Sequence, residues 1–287
     1  MELWQAIILG IVQGLTEFLP VSSSGHLIIF PWLFGWENGG LAFDASLHLG
    51  TLVAVLVYFR RDLWQMITVI PYALSKPGPI LRGESGDDDR DRWAKLGLLI
   101  VIACIPGAIV GALFESRVDE FFHTDETANR AIAMIAAMLI LLALVLWWAE
   151  KVGKRTKHIR GMNWVDAVVV GLGQALAAVL PGTSRSGATI TAGLFRGLTR
   201  PEAARFSFLA GVPLILGAGL LSLADAISAG MDSAMAMNFL AGGVTSAIVG
   251  FITIGGLLKF LQRQSTMVFI VYRVIFGLFL FLMLFLR

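Results

Sequence analysis

Long apolar runs separated by short polar interruptions make up most of this chain, and run length sorts them. Five runs, at about 97–114, 131–149, 206–224, 238–258 and 267–286, have the length and apolarity of helices that cross a membrane, for which roughly 20 residues are needed. A sixth, 41–59, carries Asp44 and His48 and counts as a span whose outer end is shielded by protein. Four shorter pieces, 3–16, 27–36, 164–180 and 188–198, flank two hydroxyl-rich breaks. Each pair predicts a re-entrant helical hairpin, because non-helical backbone at membrane depth survives only where protein or a water-filled cavity covers it. The expected architecture is an all-α integral membrane protein with six transmembrane helices and two re-entrant helical hairpins, both breaks buried in the molecule.

The two breaks are copies of one another. Leu19-Pro-Val-Ser-Ser-Ser-Gly-His26 and Leu180-Pro-Gly-Thr-Ser-Arg-Ser-Gly187 share an offset of 161 residues that also pairs Gly10 with Gly171, Gln13 with Gln174, Ser23 with Ser184, Leu33 with Leu194, Ser46 with Ser207 and Gly50 with Gly211. Each half holds one hairpin and three spans, and an odd number of spans turns the second copy over, giving an inverted-topology repeat. Residues 1–150 form the first repeat, with its hairpin at about 3–36; 151–163 is a basic cytoplasmic linker; 164–287 is the second repeat, with its hairpin at about 164–198. One stretch lacks a counterpart. Residues 75–95 are rich in Gly, Pro and charge and contain Asp87-Asp88-Asp89-Arg90-Asp91-Arg92, a pattern that predicts a solvated loop rather than a metal site.

Charge adds direction. Arg60 and Arg61, the stretches 151–160 and 196–205, and Lys259 with Arg263 mark the cytoplasmic side, whereas 115–130 is acidic and 225–237 has no basic residue. Both termini then lie outside, and the hairpins enter from opposite faces so that the breaks meet tip to tip. Trp147, Trp148 and Trp164 fit an interfacial belt. A composition of 57% hydrophobic and 15% charged residues, with a mean hydropathy of +0.79, excludes a soluble domain. A net charge of +2, with the aromatic residues set in apolar runs rather than between basic ones, sets nucleic acid aside as a partner. The single Cys104 offers no disulfide framework or thiolate metal site, and the opening Met-Glu-Leu-Trp lacks the basic region and cleavage site of a signal peptide.

Each hairpin restarts a helix just after its Ser and Gly cluster, so free N–H groups and a positive dipole end face the break and form an anion site. Arg185 adds a planar fork that can grip two phosphate oxygens beside Ser184, Ser186 and Thr189; the competing assignment is a structural salt bridge to Glu17. Gln13 and Glu17 are four apart on one helical face that ends at Pro20. Ser23 and His26, three apart across the next helix start, suit a hydroxyl nucleophile with an adjacent imidazole proton carrier. The plainer assignment makes Ser23 an N-cap and His26 a satisfied polar residue. Asp44 and His48 are either partners of His26 or Glu17 or a solvated helix end, and Arg273, mid-span, is expected to snorkel or to pair with Asp166.

Gln13-Gly-Leu-Thr-Glu17, Phe18-Leu-Pro-Val-Ser-Ser-Ser-Gly-His26 and Pro181-Gly-Thr-Ser-Arg-Ser-Gly-Ala-Thr-Ile190 resemble the signature motifs of the undecaprenyl-diphosphate phosphatases, the bacterial bacitracin-resistance family, and the resemblance extends over essentially the whole chain. It implies hydrolysis of undecaprenyl diphosphate, a polyprenyl diphosphate lipid, to undecaprenyl phosphate and inorganic phosphate, which recycles the carrier for cell-wall synthesis. It also implies a multi-pass protein of the bacterial inner membrane whose active site faces the extracytoplasmic side, with Glu17, Ser23, His26, Ser184, Arg185 and Thr189 lining that site. Many relatives carry a carboxylate where this chain has Gln13, so Glu17 stands as the lone acid of that helix.

On this basis Ser23 attacks phosphorus, His26 manages its proton, Glu17 orients the histidine or holds a metal, and Arg185 gathers charge; His26 itself and a metal-activated water are the competing nucleophiles. Phosphate binding falls to Ser184, Arg185, Ser186 and Thr189 together with Ser22, which like Ser24 is also expected to cap the turn. A hard divalent cation, Mg2+ or Ca2+, is expected to help neutralise the diphosphate, with Glu17 and the Gln13 carbonyl as its protein ligands. The lipid tail would lie between helices among the membrane lipids, and a homodimer is left open. The alternative function is a secondary transporter or flippase of a phosphorylated lipid or anion built on the same inverted repeat, although such a carrier has no use for a Ser and His pair beside a phosphate-binding arginine.

Overall fold

The computed structural model describes the backbone of residues 1–37, 39–84, 86, 88–122, 128–180 and 182–286, and the side chains of these except 115–122 and 128. Thirteen α-helices and no strand occur among the described residues. They are α1 (Leu3–Thr16), α2 (Ser23–Phe34), α3 (Gly40–Tyr58), α4 (Arg60–Thr68), α5 (Ile70–Ser75), α6 (Pro77–Arg82), α7 (Asp89–Phe122), α8 (Ala128–Val152), α9 (Trp164–Val179), α10 (Arg185–Phe195), α11 (Arg200–Ser228), α12 (Ser233–Leu261) and α13 (Met267–Leu286).

Six of them, α3, α7, α8, α11, α12 and α13, are long and apolar enough to cross a membrane, at the positions that hydropathy predicts, and the protein is a multi-pass membrane protein. Several run beyond their apolar cores. Helix α11 starts at Arg200 with a proline in its first turn, and α7 starts at Asp89 with two aspartates in its first turn; such residues suit a helix N-terminus, where no N–H needs an internal partner and negative charge opposes the dipole.

The stretch 75–95 is therefore not simply a solvated loop. Helix α6 occupies Pro77–Arg82 within it, and Asp89 to Arg92 form the opening turn of α7. Asp91 is buried there and accepts a hydrogen bond from the Tyr72 hydroxyl at 2.7 Å. Ser85 and Asp87 lie outside the described residues, as do 123–127 of the acidic stretch and the side chains of 115–122 and 128.

Helices α1 and α3 both pack on α12, α9 packs on α7, α8 on α13, and α3 on α11, while α10 rests against α8, α9 and α11. In lipid the hydrophobic effect does not drive helices together, so backbone approach through small residues supplies the packing energy. A Cβ added to Gly10 of α1 would lie 2.5 Å from the Gly242 carbonyl oxygen of α12, and one added to Gly171 of α9 would lie 2.6 Å from that of Ala103 on α7. These two glycines are a pair at the sequence offset of 161, since 171 − 10 = 161. The first helix of each break is thus docked by the same device at matching positions.

The basic end of the molecule is laced by ion pairs. Asp166 accepts from Lys157 at 3.0 Å and from Arg196 at 2.6 Å, Asp62 accepts from Arg205 at 2.6 Å, and buried Glu150 accepts from Arg155 and from the Thr266 hydroxyl, each at 2.8 Å, and from Arg200. Arg155 and Lys157 tie the linker to α8 and α9, and Glu150, Asp166 and Asp62 join the neighbouring ends of α10, α11, α13 and α4. Asp166 is fully committed here, which removes it as a partner for Arg273.

Candidate active site

Both helical breaks end in the same strained cap. Ser22 has φ +78° and its hydroxyl accepts from the Gly25 N–H at 3.3 Å; Ser184 has φ +68° and accepts from the Gly187 N–H at 3.0 Å. Non-glycine residues are held in such conformations only when their surroundings over-determine them. The caps are 184 − 22 = 162 residues apart, one more than the repeat offset, because the second break has one more residue between its proline and its cap. Ser184 is therefore the counterpart of Ser22. Ser23, paired with Ser184 by the constant offset, corresponds in position to Arg185, since each is the first residue of its helix.

Ser23 and Arg185 converge on Glu17, which follows the last turn of α1 and is almost fully buried. The Ser23 hydroxyl donates to Glu17 Oε2 at 2.7 Å, and Arg185 Nη2 donates to Oε1 at 2.7 Å. Gln13 Nε2 adds a third donor, to Oε2 at 3.1 Å. A carboxylate out of water requires this degree of compensation. The salt bridge to Glu17 is thus present, and Arg185 also donates through Nη1 to the Ser207 carbonyl at 3.1 Å. A Cβ on Gly211 would lie 2.3 Å from that Nη1, so the guanidinium lies across α11 where only a glycine leaves room. Ser23 and Arg185 both remain partly exposed.

The other hydroxyls build the frame. Ser184 and Ser186 have their oxygens 3.2 Å apart, and Ser186 donates to the Leu19 carbonyl at 3.0 Å, joining the second break to the first. Thr189 donates back to the Arg185 carbonyl at 2.7 Å and lies 2.6 Å from the Ser207 hydroxyl. Ser22, Ser184, Ser186 and Thr189 therefore hold Ser23 and Arg185 in place, with their own hydroxyls engaged in the protein. Groups at the tips whose chemistry suits an anion are the Arg185 fork and those first-turn N–H groups of α2 and α10 that the caps do not take, since the Gly25 and Gly187 N–H groups are held by Ser22 and Ser184.

His26 does not touch Ser23 as the spacing of three suggests. Its Nδ1 lies 2.6 Å from the Ser22 carbonyl oxygen and its Nε2 lies 2.7 Å from the Tyr272 hydroxyl. A carbonyl only accepts, so Nδ1 carries the proton and Nε2 accepts from the tyrosine. The ring also stacks on Phe276 with centroids 4.9 Å apart. The helical turn directs the imidazole back over Ser22, while Ser23 turns toward Glu17. Glu17 consequently orients the serine rather than His26. Of the Asp44 and His48 pair, His48 joins the site: its Nδ1 donates to the Asp44 carbonyl at 2.7 Å and its Nε2 is 3.4 Å from Glu17 Oε2.

Tyr272 carries no local sequence signal, because its partner lies 246 residues away. Ser207 and Gly211 were visible only as repeat-matched positions. Arg273 neither snorkels nor meets Asp166. It is completely buried and donates to five backbone carbonyls, those of Leu139, Pro20, Met138, Gly182 and Thr183, at 3.1 to 3.3 Å.

The fit of a divalent cation rests on two oxygens. Gln13 Oε1 is buried and lacks a hydrogen-bond partner, and its orientation is dictated by Glu17, because the flipped amide would set oxygen against carboxylate. Among the described residues no group of three His, Cys, Asp or Glu side chains gathers. Glu17 and Gln13 offer the hard oxygen chemistry that Mg2+ and Ca2+ accept, but too few ligands for a complete shell, so most of that shell must come from the substrate or water.

A sequence profile of the family described as bacitracin resistance protein BacA matches residues 6–279. The undecaprenyl-diphosphatase of Thermomicrobium roseum is 47% identical over 282 residues, 98% of each chain. That of Moorella thermoacetica is 44% identical over 275 residues, 96% of this chain and 95% of its own, and that of Pelotomaculum thermopropionicum is 41% identical over 278 residues, 97% and 95%. With the profile and these relatives matching nearly end to end across both breaks, the chain belongs to the BacA bacitracin-resistance family.

Proposed function

We propose that the protein hydrolyses undecaprenyl diphosphate to undecaprenyl phosphate and inorganic phosphate, with the chemistry at the meeting point of the two breaks. The observation that carries the site assignment is the pair of contacts that Ser23 and Arg185 make to the two oxygens of Glu17. In this reading the Arg185 fork and the N–H groups of the α2 and α10 tips take the terminal phosphoryl oxygens. The Ser23 oxygen attacks the terminal phosphorus as its proton passes to Glu17. The bond from phosphorus to the bridging oxygen breaks, and undecaprenyl phosphate departs with the electron pair and receives that proton. Glu17, ionised again, takes a proton from water, whose oxygen attacks the phosphoserine; the bond from phosphorus to the Ser23 oxygen breaks, Glu17 returns the proton to that oxygen, and inorganic phosphate leaves.

His26 holds the Ser22 carbonyl, and through it the cap that aims Ser23. Glu17 and Gln13 would hold a divalent cation, which would supply charge neutralisation on the diphosphate.

The topology that goes with this reading is the inverted repeat, with α1 and α2 forming one re-entrant hairpin and α9 and α10 the other. The reciprocal docking of α1 on α12 and of α9 on α7, each through a repeat-matched glycine, supports it. The basic loops favour an inner-membrane orientation with both termini outside and the site open to the extracytoplasmic side.

The test is release of inorganic phosphate from undecaprenyl diphosphate by the purified protein in detergent. Turnover by the parent and its loss in Ser23→Ala are expected; binding without phosphate release would favour the carrier alternative, and parental turnover in Ser23→Ala would remove Ser23 as nucleophile.

A further inference from the structure

We infer that Arg273 is a positioning residue for phosphoryl transfer: from α13 it holds the two helix-restarting turns at the separation that sets Ser23 against Arg185. A break in a membrane helix frees backbone carbonyls that lipid cannot satisfy. Arg273 collects them from both breaks at once. Its Nη1 donates to the Pro20 carbonyl at 3.2 Å, two residues before the Ser22 cap, and its Nη2 donates to those of Gly182 at 3.3 Å and Thr183 at 3.1 Å, immediately before the Ser184 cap. Nε and Nη2 reach the Leu139 and Met138 carbonyls of α8 at 3.1 and 3.3 Å. One planar group thereby references both turns to a single spanning helix.

Two further observations separate this from ordinary packing. A Cβ on Gly187 would lie 2.8 Å from Arg273 Nη1, so the guanidinium is seated directly against the first turn of α10, the turn that carries Arg185. Among the described residues no carboxylate pairs with Arg273, since Glu17 is held by Arg185, and Asp166 by Lys157 and Arg196. Its charge is met by carbonyl dipoles alone. Behind two tips whose own arginine is already neutralised by Glu17, it leaves the site net positive, as an arriving diphosphate requires. Lysine, with three donors on one nitrogen, cannot span acceptors on three segments.

The inference rests on the assignment of Ser23 and Arg185 to the chemistry, and the experiment keeps the two apart. Arg273→Lys, Gly187→Ala, Ser23→Ala and Arg185→Lys are purified in detergent, and melting temperature, kcat and KM for undecaprenyl diphosphate are measured on the folded, monodisperse fraction. Misplacement of reacting groups by about 1 Å costs on the order of a hundredfold. Arg273→Lys is therefore expected to lose about a hundredfold in kcat while KM stays within about threefold. Gly187→Ala, whose Cβ would displace Arg273 Nη1 at 2.8 Å and also touch the Ser184 cap at 3.0 Å, keeps the guanidinium and should lose kcat in the same way; a parental kcat there overturns the inference if Arg273→Lys does not fold. A kcat within threefold of the parent, with the damage confined to melting temperature, would overturn the inference; so would a raised KM at parental kcat, which would make Arg273 a direct phosphate ligand. Parental turnover in Ser23→Ala and Arg185→Lys would instead sink the site assignment itself.

Discussion

Ser23 and Arg185 hold the same place in the two breaks, the first residue of α2 and of α10, and each donates to a different oxygen of Glu17 at 2.7 Å. One carboxylate thus orients a hydroxyl and a guanidinium together, and its removal should disturb both. Glu17→Gln and Ser23→Ala are each expected to lower turnover by on the order of a thousandfold, and the double variant should be little worse than the worse single, because groups acting as a unit are non-additive. Losses that multiply would argue against a working unit. Labelled phosphate trapped on Ser23 would support direct attack, and a label on His26 would overturn it.

His26 bridges the Ser22 carbonyl and the Tyr272 hydroxyl, so its contribution should run through the cap. His26→Ala is expected to cost about a hundredfold in kcat and Tyr272→Phe about tenfold, with the double variant close to His26→Ala alone. Phosphate-release kinetics of the three variants check this. A Tyr272→Phe loss that adds in full to that of His26→Ala would detach the tyrosine from the histidine.

Arg185→Lys keeps the charge but loses the fork, and severe impairment is expected. Gly211→Ala leaves the arginine intact yet places a methyl group 2.3 Å from the present position of Nη1; turnover should fall by roughly a hundredfold with little change in melting temperature. Near-normal turnover in both would remove Arg185 from the site.

Chelation of divalent cations should abolish phosphate release, and added Mg2+ or Ca2+ should restore it. Full turnover in excess chelator would leave Glu17 with an acid and base role only.

Topology is tested by impermeant thiol labelling of intact cells after replacement of Cys104. A cysteine in place of Ala229, exposed between α11 and α12, should react from outside, and one in place of Ser75, exposed at the end of α5, only after lysis. The reverse pattern would overturn the orientation.

Much of this architecture is legible in the sequence because hydropathy and helix length are local properties. The six spanning helices and the four short helices around the breaks fall where the apolar runs lie. The polar opening of α7 was hidden because a string such as Asp89 to Arg92 looks the same in a loop as on a helix whose N-terminus it stabilises. At the site, Glu17, Ser23 and Arg185 stand out by type and spacing, but their partners are fixed by tertiary contact. His26 meets a tyrosine on the last helix, His48 reaches Glu17 from α3, and Arg273 finds carbonyls on α8 and in both breaks. A constant offset of 161 does not align Ser23 with Arg185; the matching caps of Ser22 and Ser184, in dihedral angle and in hydrogen bonding, place the one-residue slip.

The Glu17 contact to Arg185 also bears on what else in a bilayer could settle there. With the carboxylate in the guanidinium's grip, any anion reaching the tips has to outcompete an internal rival already in place. A phosphodiester headgroup brings a single negative charge and little advantage over that rival, whereas a diphosphate brings several and can satisfy the fork and both helix ends together. On the proposed assignment, the excess of ordinary phospholipids around the protein would therefore compete poorly for the tips.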